Sequence, residues 1–264
     1  MFKNLANLLK YRQLIQSLVA RELKARYRGS VLGFFWSFLN PLLLLGIYSF
    51  VFGVLMPNRV PGIEPYPLFM FCGILPWTWF TSSLLESSNV LISGGNLIKK
   101  VLFPAEVLPI VTVLANMVHF FLGLPILLAF ALYFKQSLDL LDLFWFPVVV
   151  LVQLVFTLGL ALIVSALTVH FRDFRDLLQS IVTFWFFATP IIYPMSMAVD
   201  RGGKLFLDAN PMTHIIVAYQ ELFFFPGAFG HWKWLLLSAA GAVGLFLLGY
   251  FVFDRLRDSF AEEV

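Results

Sequence analysis

The sequence predicts an all-α membrane protein with an N-terminal interfacial helix and six transmembrane helices, and three observations support this. Of the 264 residues, 60% are hydrophobic and only 12% are charged, whereas soluble domains carry roughly a quarter charged residues. Residues 31–56 contain no charge, and this run exceeds the ~20 residues that a helix needs to cross a bilayer. The basic flank before it, with seven Lys or Arg in residues 1–28, is expected in the cytosol.

Residues 1–30 are predicted to form an amphipathic helix in the membrane interface, with basic side chains on one side and Leu, Ile and Val on the other. Arg12, Glu22 and Arg26 fall on the apolar side instead. Arg26 therefore either snorkels to the lipid headgroups or takes part in an ion pair or a ligand contact. No short apolar core with a small-residue cleavage site occurs here, so no cleavable signal is expected.

The six spans follow from uncharged runs that end in charged or helix-breaking segments. They are placed at about 31–56, 68–92, 106–134, 143–169, 177–193 and 232–253, followed by a cytosolic tail at 257–264. Between the last two spans, residues 212–225 are apolar but too short to cross the membrane. Asn210-Pro211 is a helix start and Pro226-Gly227 a stop, which predicts a re-entrant or interfacial helix.

The positive charges agree with this topology. Thirteen of the 18 Lys and Arg lie on segments predicted to be cytosolic and five on outer segments. Because basic residues accumulate on the cytosolic side of membrane proteins, both termini are expected in the cytosol.

Two spans carry polar stripes. Span 2 has Thr78, Ser82, Glu86 and Asn89 at spacings of four, four and three, which places them on one face of a helix. A charge at a span centre costs roughly 2.5 to 3.5 kcal/mol, so Glu86 either pairs in a seam between helices or faces a pore. Span 3 adds a similar stripe with His119, which is either an interhelical hydrogen-bond partner or part of a proton relay.

Several kinds of chemistry are not expected in this chain. Gly94-Gly95 and Lys99-Lys100 lack the spacing and the hydroxyl residue of an ATP-binding phosphate loop. Cys72 is the only cysteine, and the four His lie too far apart in sequence for a local metal motif. We therefore predict no metal, no resident cofactor and no catalytic site.

The aromatic content, 17% of the chain, is unusual. Sugar rings stack on aromatic rings, so clusters on spans 1 and 5 suit the lining of a glycan conduit. The candidates are Phe35, Trp36, Phe184, Trp185 and Phe187. The alternative is that these side chains face lipid or pack between helices.

Ordered motifs resemble those of a known family. RELKARYRGSVLGFFWSFLNPLL, NLIKKVLFPAEVLP, FRD, TPIIYP, ANPM and FAEE occur in that order over nearly the whole chain. They resemble the type-2 ABC exporter permeases for lipid-linked polysaccharides, with the O-antigen branch closest and the teichoic-acid and capsule branches as relatives.

The resemblance implies a homodimer in the bacterial inner membrane, bound to two copies of a separate subunit that binds ATP and Mg. It implies export of an undecaprenyl-pyrophosphate-linked glycan, with spans 1 and 5 lining the channel and residues 194–231 forming outer gate helices. It also implies that residues 96–104 are the coupling helix on the ATPase. The residues assigned to that contact are Asn96, Leu97, Ile98, Lys99, Lys100 and Phe103.

A pyrophosphate needs a cationic partner where it leaves water. Arg binds phosphate oxygens with two parallel hydrogen bonds. Arg26 and Arg28, just before span 1, are therefore predicted to bind the pyrophosphate at the cytosolic entrance.

The alternative function for this chain is a membrane enzyme or scaffold of lipid-linked glycan assembly.

Overall fold

A computed structural model describes residues 10–55, 63–99, 103–134, 142–200 and 202–263, and within these ranges every regular element is a helix. We number the α-helices α1 (Arg12–Arg26), α2 (Trp36–Ser49), α3 (Tyr66–Ser93), α4 (Gly95–Ile98), α5 (Val107–Tyr133), α6 (Phe146–His170), α7 (Phe174–Phe187), α8 (Met195–Asp200), α9 (Lys204–Ala209), α10 (Pro211–Phe223), α11 (Trp232–Leu256) and α12 (Phe260–Glu263). A π-helical segment, Phe50–Leu55, extends α2, and 3-10 turns occur at Gly33–Phe35, Asp142–Trp145 and Arg257–Ser259.

Four helices of the described chain are long and apolar enough to cross a membrane: α3, α5, α6 and α11 with its short extension. Their bounds agree closely with predicted spans 2, 3, 4 and 6. The helices at the two other predicted spans, spans 1 and 5, are shorter. Trp36–Phe52 is an apolar helix below that length, and α7 has 14 residues.

The fifth span differs from its prediction. Its helix begins three residues earlier than expected and ends at Phe187, so residues 188–194 form turns rather than the last helical turns. The physical reason is Pro190 together with Pro194, since proline disfavours helical conformation in the residue before it and removes a backbone donor.

Helix α3 lies at the centre of the bundle and contacts α2, α5, α6, α7 and α10. Its first half, from Pro67 to Trp77, is buried throughout. Trp79 fixes it to α5 by donating an indole hydrogen bond to the Val113 carbonyl at 3.1 Å. Gln153 fixes it to α6 by donating to the Pro76 carbonyl at 2.8 Å. Both bonds satisfy polar groups that lipid could not.

Helix α1 packs on protein, contrary to the simplest form of an interfacial helix. Leu18 is buried against Val107 and Val111 at the start of α5. Contacts with span 3 therefore position the basic segment. The chain then turns at Gly29, whose φ of +81° lies in the left-handed region that favours glycine.

The helix predicted between spans 5 and 6 is α10, which begins at the predicted Asn210-Pro211 start and ends at Phe223, three residues before Pro226. The Asn210 side-chain oxygen accepts a hydrogen bond from the Met212 N–H at 3.1 Å, which caps the helix. Residues 212–220 are all buried. With 13 residues, about 20 Å at 1.5 Å per residue, α10 is shorter than the hydrocarbon core.

Candidate functional site

Arg26, in the last turn of α1, joins three helices. Its Nη2 donates to Glu86 Oε2 on α3, and its Nη1 donates to Asn116 Oδ1 on α5 at 3.0 Å. Its Nε also lies 3.7 Å from Glu22 Oε1, one turn earlier on α1. The sequence left Arg26 between snorkelling and pairing, and the structure places it in an ion pair.

The ion pair with Arg26 also explains how Glu86, the acidic residue of span 2, is accommodated between helices. Asn116 is buried and donates from Nδ2 to Glu86 Oε2 at 2.7 Å and to the Thr112 carbonyl at 3.1 Å. Glu86 Oε2 therefore accepts from both Arg26 and Asn116. The predicted stripes of spans 2 and 3 face each other here, and the Arg26 charge offsets the cost of placing Glu86 between helices.

A second polar contact runs beside the first. The Tyr27 hydroxyl is hydrogen-bonded to Ser37 Oγ at the start of α2. It also lies 3.2 Å from His119 Nδ1 on α5, and the two rings meet edge to face at 5.9 Å between centroids. His119 was predicted to be either an interhelical hydrogen-bond partner or part of a proton relay. Its contact with Tyr27 is of the first kind.

These side chains enclose a cavity of about 310 Å³ between α1, α2, α3 and α5. Its polar lining comprises Arg26, Tyr27, Ser37, Asn40, Thr78, Ser82, Asn116 and His119, with Trp36 among the aromatic residues. A second cavity of about 340 Å³ is lined by Glu22, Arg26, Glu86, Val90, Ser93 and Thr112. Arg26 borders both, so the Arg26–Glu86 pair stands between them.

Residues 13–224 match the model of the family described as ABC-2 type transporter. The chain belongs to the ABC-2 type transporter family.

Relatives with known names support this family assignment. The chain is 41% identical to the O-antigen export system permease protein RfbA of Myxococcus xanthus, with all of both chains covered. It is 32% identical to the protein of the same name from Klebsiella pneumoniae, over 94% of each chain. The polysialic acid transport protein KpsM of Escherichia coli is 24% identical, over 78% of this chain and 80% of the relative.

In this ABC-2 transporter chain the predicted aromatic residues occupy three environments. Trp36 lines the cavity and donates from Nε1 to Ser30 Oγ at 3.1 Å. Phe35, Phe184 and Phe187 are exposed on the single chain, by 73%, 69% and 59%. Trp185 turns into the bundle, where Nε1 donates to Asn210 Oδ1 at 2.9 Å and its ring meets Phe80 at 5.3 Å.

The remaining predicted residues are dispersed. Arg28 is exposed in the turn after α1, and Asn89 is half-buried one turn beyond Glu86. In the predicted coupling segment Asn96 and Lys99 are exposed. Leu97, Ile98 and Phe103 are half-buried and pack against the chain's own core. Lys100 lies outside the described residues.

Sequence reasoning missed Tyr27 and Ser37 because their contacts cross 10 and 92 positions. The only local signal was that Tyr27 follows Arg26 at the end of a helix.

The sequence also gave no reason to connect His214 and His231, which are 17 positions apart. Their ring nitrogens lie 3.0 Å from each other near α10. No cluster able to hold a metal ion occurs among the described residues.

The donor and the acceptor of the hydrogen bond between His214 and His231 follow from their neighbours. His214 Nε2 lies 3.0 Å from the Asp208 carbonyl, which can only accept, so this nitrogen carries the proton. In this tautomer His214 Nδ1 accepts from His231 Nε2, and His231 Nδ1 faces Glu221 Oε1 at 3.8 Å. Glu221 Oε2 accepts from the N–H groups of Gly230 and His231, each at 3.0 Å.

We predict that this pair makes the fold sensitive to acid. Burial, and then the neighbouring His214, lower the pKa of His231 to about 4 from 6.5, against an opposing effect of Asp208. The unfolded chain therefore binds more protons between about pH 6.5 and 4, and stability falls as the pH drops through this window. His231→Gln keeps a donor for His214 but does not titrate.

The measurement is the melting temperature of the detergent-purified protein against pH. Burial raises the pKa of Glu221, whose titration acts in the opposite direction, so the informative quantity is the difference between wild type and His231→Gln. We expect the melting temperature of the variant to fall less between about pH 6.5 and 4. Parallel profiles would contradict the prediction.

Proposed function

We propose that this chain is the permease subunit of an ATP-driven exporter that moves an O-antigen-like polysaccharide, linked to undecaprenyl pyrophosphate, from the cytosol across the bacterial inner membrane. The observation that carries the proposal is the 41% identity, over the whole of both chains, to a protein named as an O-antigen export permease. Membership of the ABC-2 family supports a separate ATP-binding subunit as partner, which would hold the ATP and Mg.

The surface of α7 supports a second copy of the chain. The Gln179 amide is exposed on the single chain, together with Phe184 and Phe187, whereas the exposed Ser180 and Thr183 hydroxyls donate to carbonyls of their own helix. Polar side chains at membrane depth need a protein partner or a water-filled passage. In a homodimer this face of α7 and the neighbouring aromatic residues would border a glycan path, as the sequence predicts for spans 1 and 5. Two ATP-binding subunits would complete the assembly.

The Arg26 site supports an anionic substrate head at the cytosolic end. Arg26 borders both cavities at the end of the bundle that carries the basic α1. Its guanidinium is already held by Glu86 and Asn116, so it is oriented before a ligand arrives. A pyrophosphate would exchange with the Glu86 carboxylate, with the exposed Arg28 nearby in sequence to attract it. The ion pair is then a resting state of the entrance.

The test of the function is genetic and chemical. Deleting the chain's gene from its host should leave undecaprenyl-linked polysaccharide in the cytosol and remove it from the cell surface, and the restored gene should reverse both effects. Reconstituted with its ATP-binding subunit, the chain should make ATP hydrolysis respond to lipid-linked glycan. Glycosyl transfer by the purified chain alone, with surface polysaccharide lost and no lipid-linked polysaccharide left in the cytosol of the deletion strain, would instead favour an assembly enzyme.

A further inference from the structure

A third cavity, of about 600 Å³, lies between α8, α10 and the loop that joins α10 to α11. We call it the outer cavity, because every residue that lines it belongs to 194–231, the segment that the sequence predicts on the outer side. Its volume falls in the range of roughly 300–1,000 Å³ that pockets for small ligands have. None of its lining residues belongs to the Arg26 site.

Two hydrogen-bond acceptors in the lining of the outer cavity face each other. Glu221 Oε2 accepts from the backbone N–H groups of Gly230 and His231, whereas within the described residues Oε1 accepts no hydrogen bond. Burial lowers the pKa of His231 to about 4, so its ring is neutral at neutral pH. Because His231 Nε2 donates to His214, Nδ1 carries the lone pair.

These two acceptors call for a donor from a third group. Glu221 Oε1 and His231 Nδ1 are 3.8 Å apart, which is too far for a hydrogen bond between them. His231 is only 8% exposed, and buried acceptors are normally paired. A bound molecule with hydroxyl donors would satisfy both atoms.

The rest of the lining suits a ligand with several donors and an apolar face. A second carboxylate, that of Asp200 at the end of α8, is exposed at the cavity. Phe225 contributes an aromatic ring, which is held by edge-to-face contacts with Phe69 at 6.0 Å and with Phe224 at 5.1 Å. Among the described residues of the lining there is no Lys or Arg, so these residues favour a donor ligand over an anion.

We propose that the outer cavity is a binding subsite for sugar residues of the exported glycan, with Glu221 and His231 as hydrogen-bond acceptors and Phe225 as the apolar surface. Sugar hydroxyls donate to carboxylate and imidazole acceptors, and the C–H face of the ring packs on an aromatic side chain. A metal ion fits less well, since no cluster able to hold one occurs in the described parts of the chain. The inference rests on the proposed function, which supplies the glycan.

The first experiment measures binding of a lipid-free probe to the full-length chain. The probe is an oligosaccharide fraction of the host's own surface polysaccharide, cleaved from its lipid, and the protein is kept in a detergent without a sugar headgroup. Binding is followed by saturation-transfer NMR over a titration. Because the probe carries no pyrophosphate, it does not report on the Arg26 site.

Glu221→Gln should raise the dissociation constant of this probe about tenfold. The amide oxygen can accept the two backbone N–H groups, while the amide NH₂ turns towards His231 Nδ1 and supplies the donor in place of the sugar. Melting temperature should not fall, since the backbone donors stay paired. The matched control is Glu64→Gln, an exposed glutamate just before α3 and outside the cavity lining, which should bind as wild type does.

The second experiment changes the apolar surface. Phe225→Leu keeps an apolar side chain against Phe69 but removes the flat ring, so it should weaken binding and remove the preferential saturation of protons on one sugar face. Equal dissociation constants for wild type and Glu221→Gln would overturn the subsite. Absence of binding by wild type would overturn it too, because an ordered water would then bridge the two acceptors. Neither result bears on the proposed function, which the deletion strain tests separately.

Discussion

Replacing Arg26 by Ala should abolish most of the response of ATP hydrolysis to lipid-linked glycan while the chain still inserts in the membrane. The guanidinium joins α1 to Glu86 and Asn116 and borders both cavities of the site. Losing a charge-assisted, two-point contact with phosphate corresponds to about 1.5–3 kcal/mol, or roughly tenfold to a hundredfold in half-saturation. Arg28→Ala should have a smaller effect, because Arg28 is exposed and outside the network.

Three further variants separate binding from packing. Arg26→Lys restores charge without the planar fork, so it should recover only part of the response. Glu86→Gln frees the guanidinium from its competing carboxylate and should lower the half-saturation below that of wild type. In Arg26→Ala/Glu86→Gln the unpaired carboxylate is gone, so melting temperature should rise above that of Arg26→Ala while the glycan response stays low.

The measurement is ATPase activity of the reconstituted complex titrated with lipid-linked glycan, with melting temperature recorded for each variant. An unchanged half-saturation in Arg26→Ala would leave this residue as a structural tie and a topology signal. Recovery of the glycan response in the double variant would lead to the same conclusion.

Gly249→Leu should prevent the chain from folding, because α6 and α11 cross there in backbone contact. These two helices share the most extensive helix–helix contact of the described chain. A Cβ built on Gly249 would lie 2.2 Å from the Gly159 carbonyl oxygen, and one on Gly159 would lie 2.8 Å from the Phe246 nitrogen. Small residues let membrane helices approach this closely. No side-chain rearrangement can relieve a clash with backbone.

Even Gly249→Ala should cost more than the usual 1–3 kcal/mol of an overpacked core. Gly244→Ala is the matched control, since a Cβ there meets nothing within 4 Å on the same helix. Yield of monodisperse protein and melting temperature are the readouts. Equal values for the alanine variants at the two positions would show that the crossing is looser than the structure has it.

The long spans could be predicted from sequence because their signal is local. Apolar runs without charge gave spans 2, 3, 4 and 6 within a few residues, since the cost of leaving a charge or an unpaired backbone group in lipid acts on each segment separately. The start of α10 was predicted from Asn210-Pro211, and its end near Pro226-Gly227, because helix caps and proline act on neighbouring residues. The end of α7 was misplaced because apolar composition extended past Phe187, whereas proline geometry decided the helix end.

The sequence alone determined that this is a membrane protein, where its long helices begin and end, and that Glu86 needs a paired or water-filled environment, while it left Arg26 between snorkelling and pairing. Only the tertiary structure decided which partner each of them has. Arg26 and Glu86 are 60 positions apart, and His170 and Ser259 are 89 apart. Such pairs form because buried polar groups must find partners wherever helix packing brings them, and packing depends on the shapes of all the faces at once.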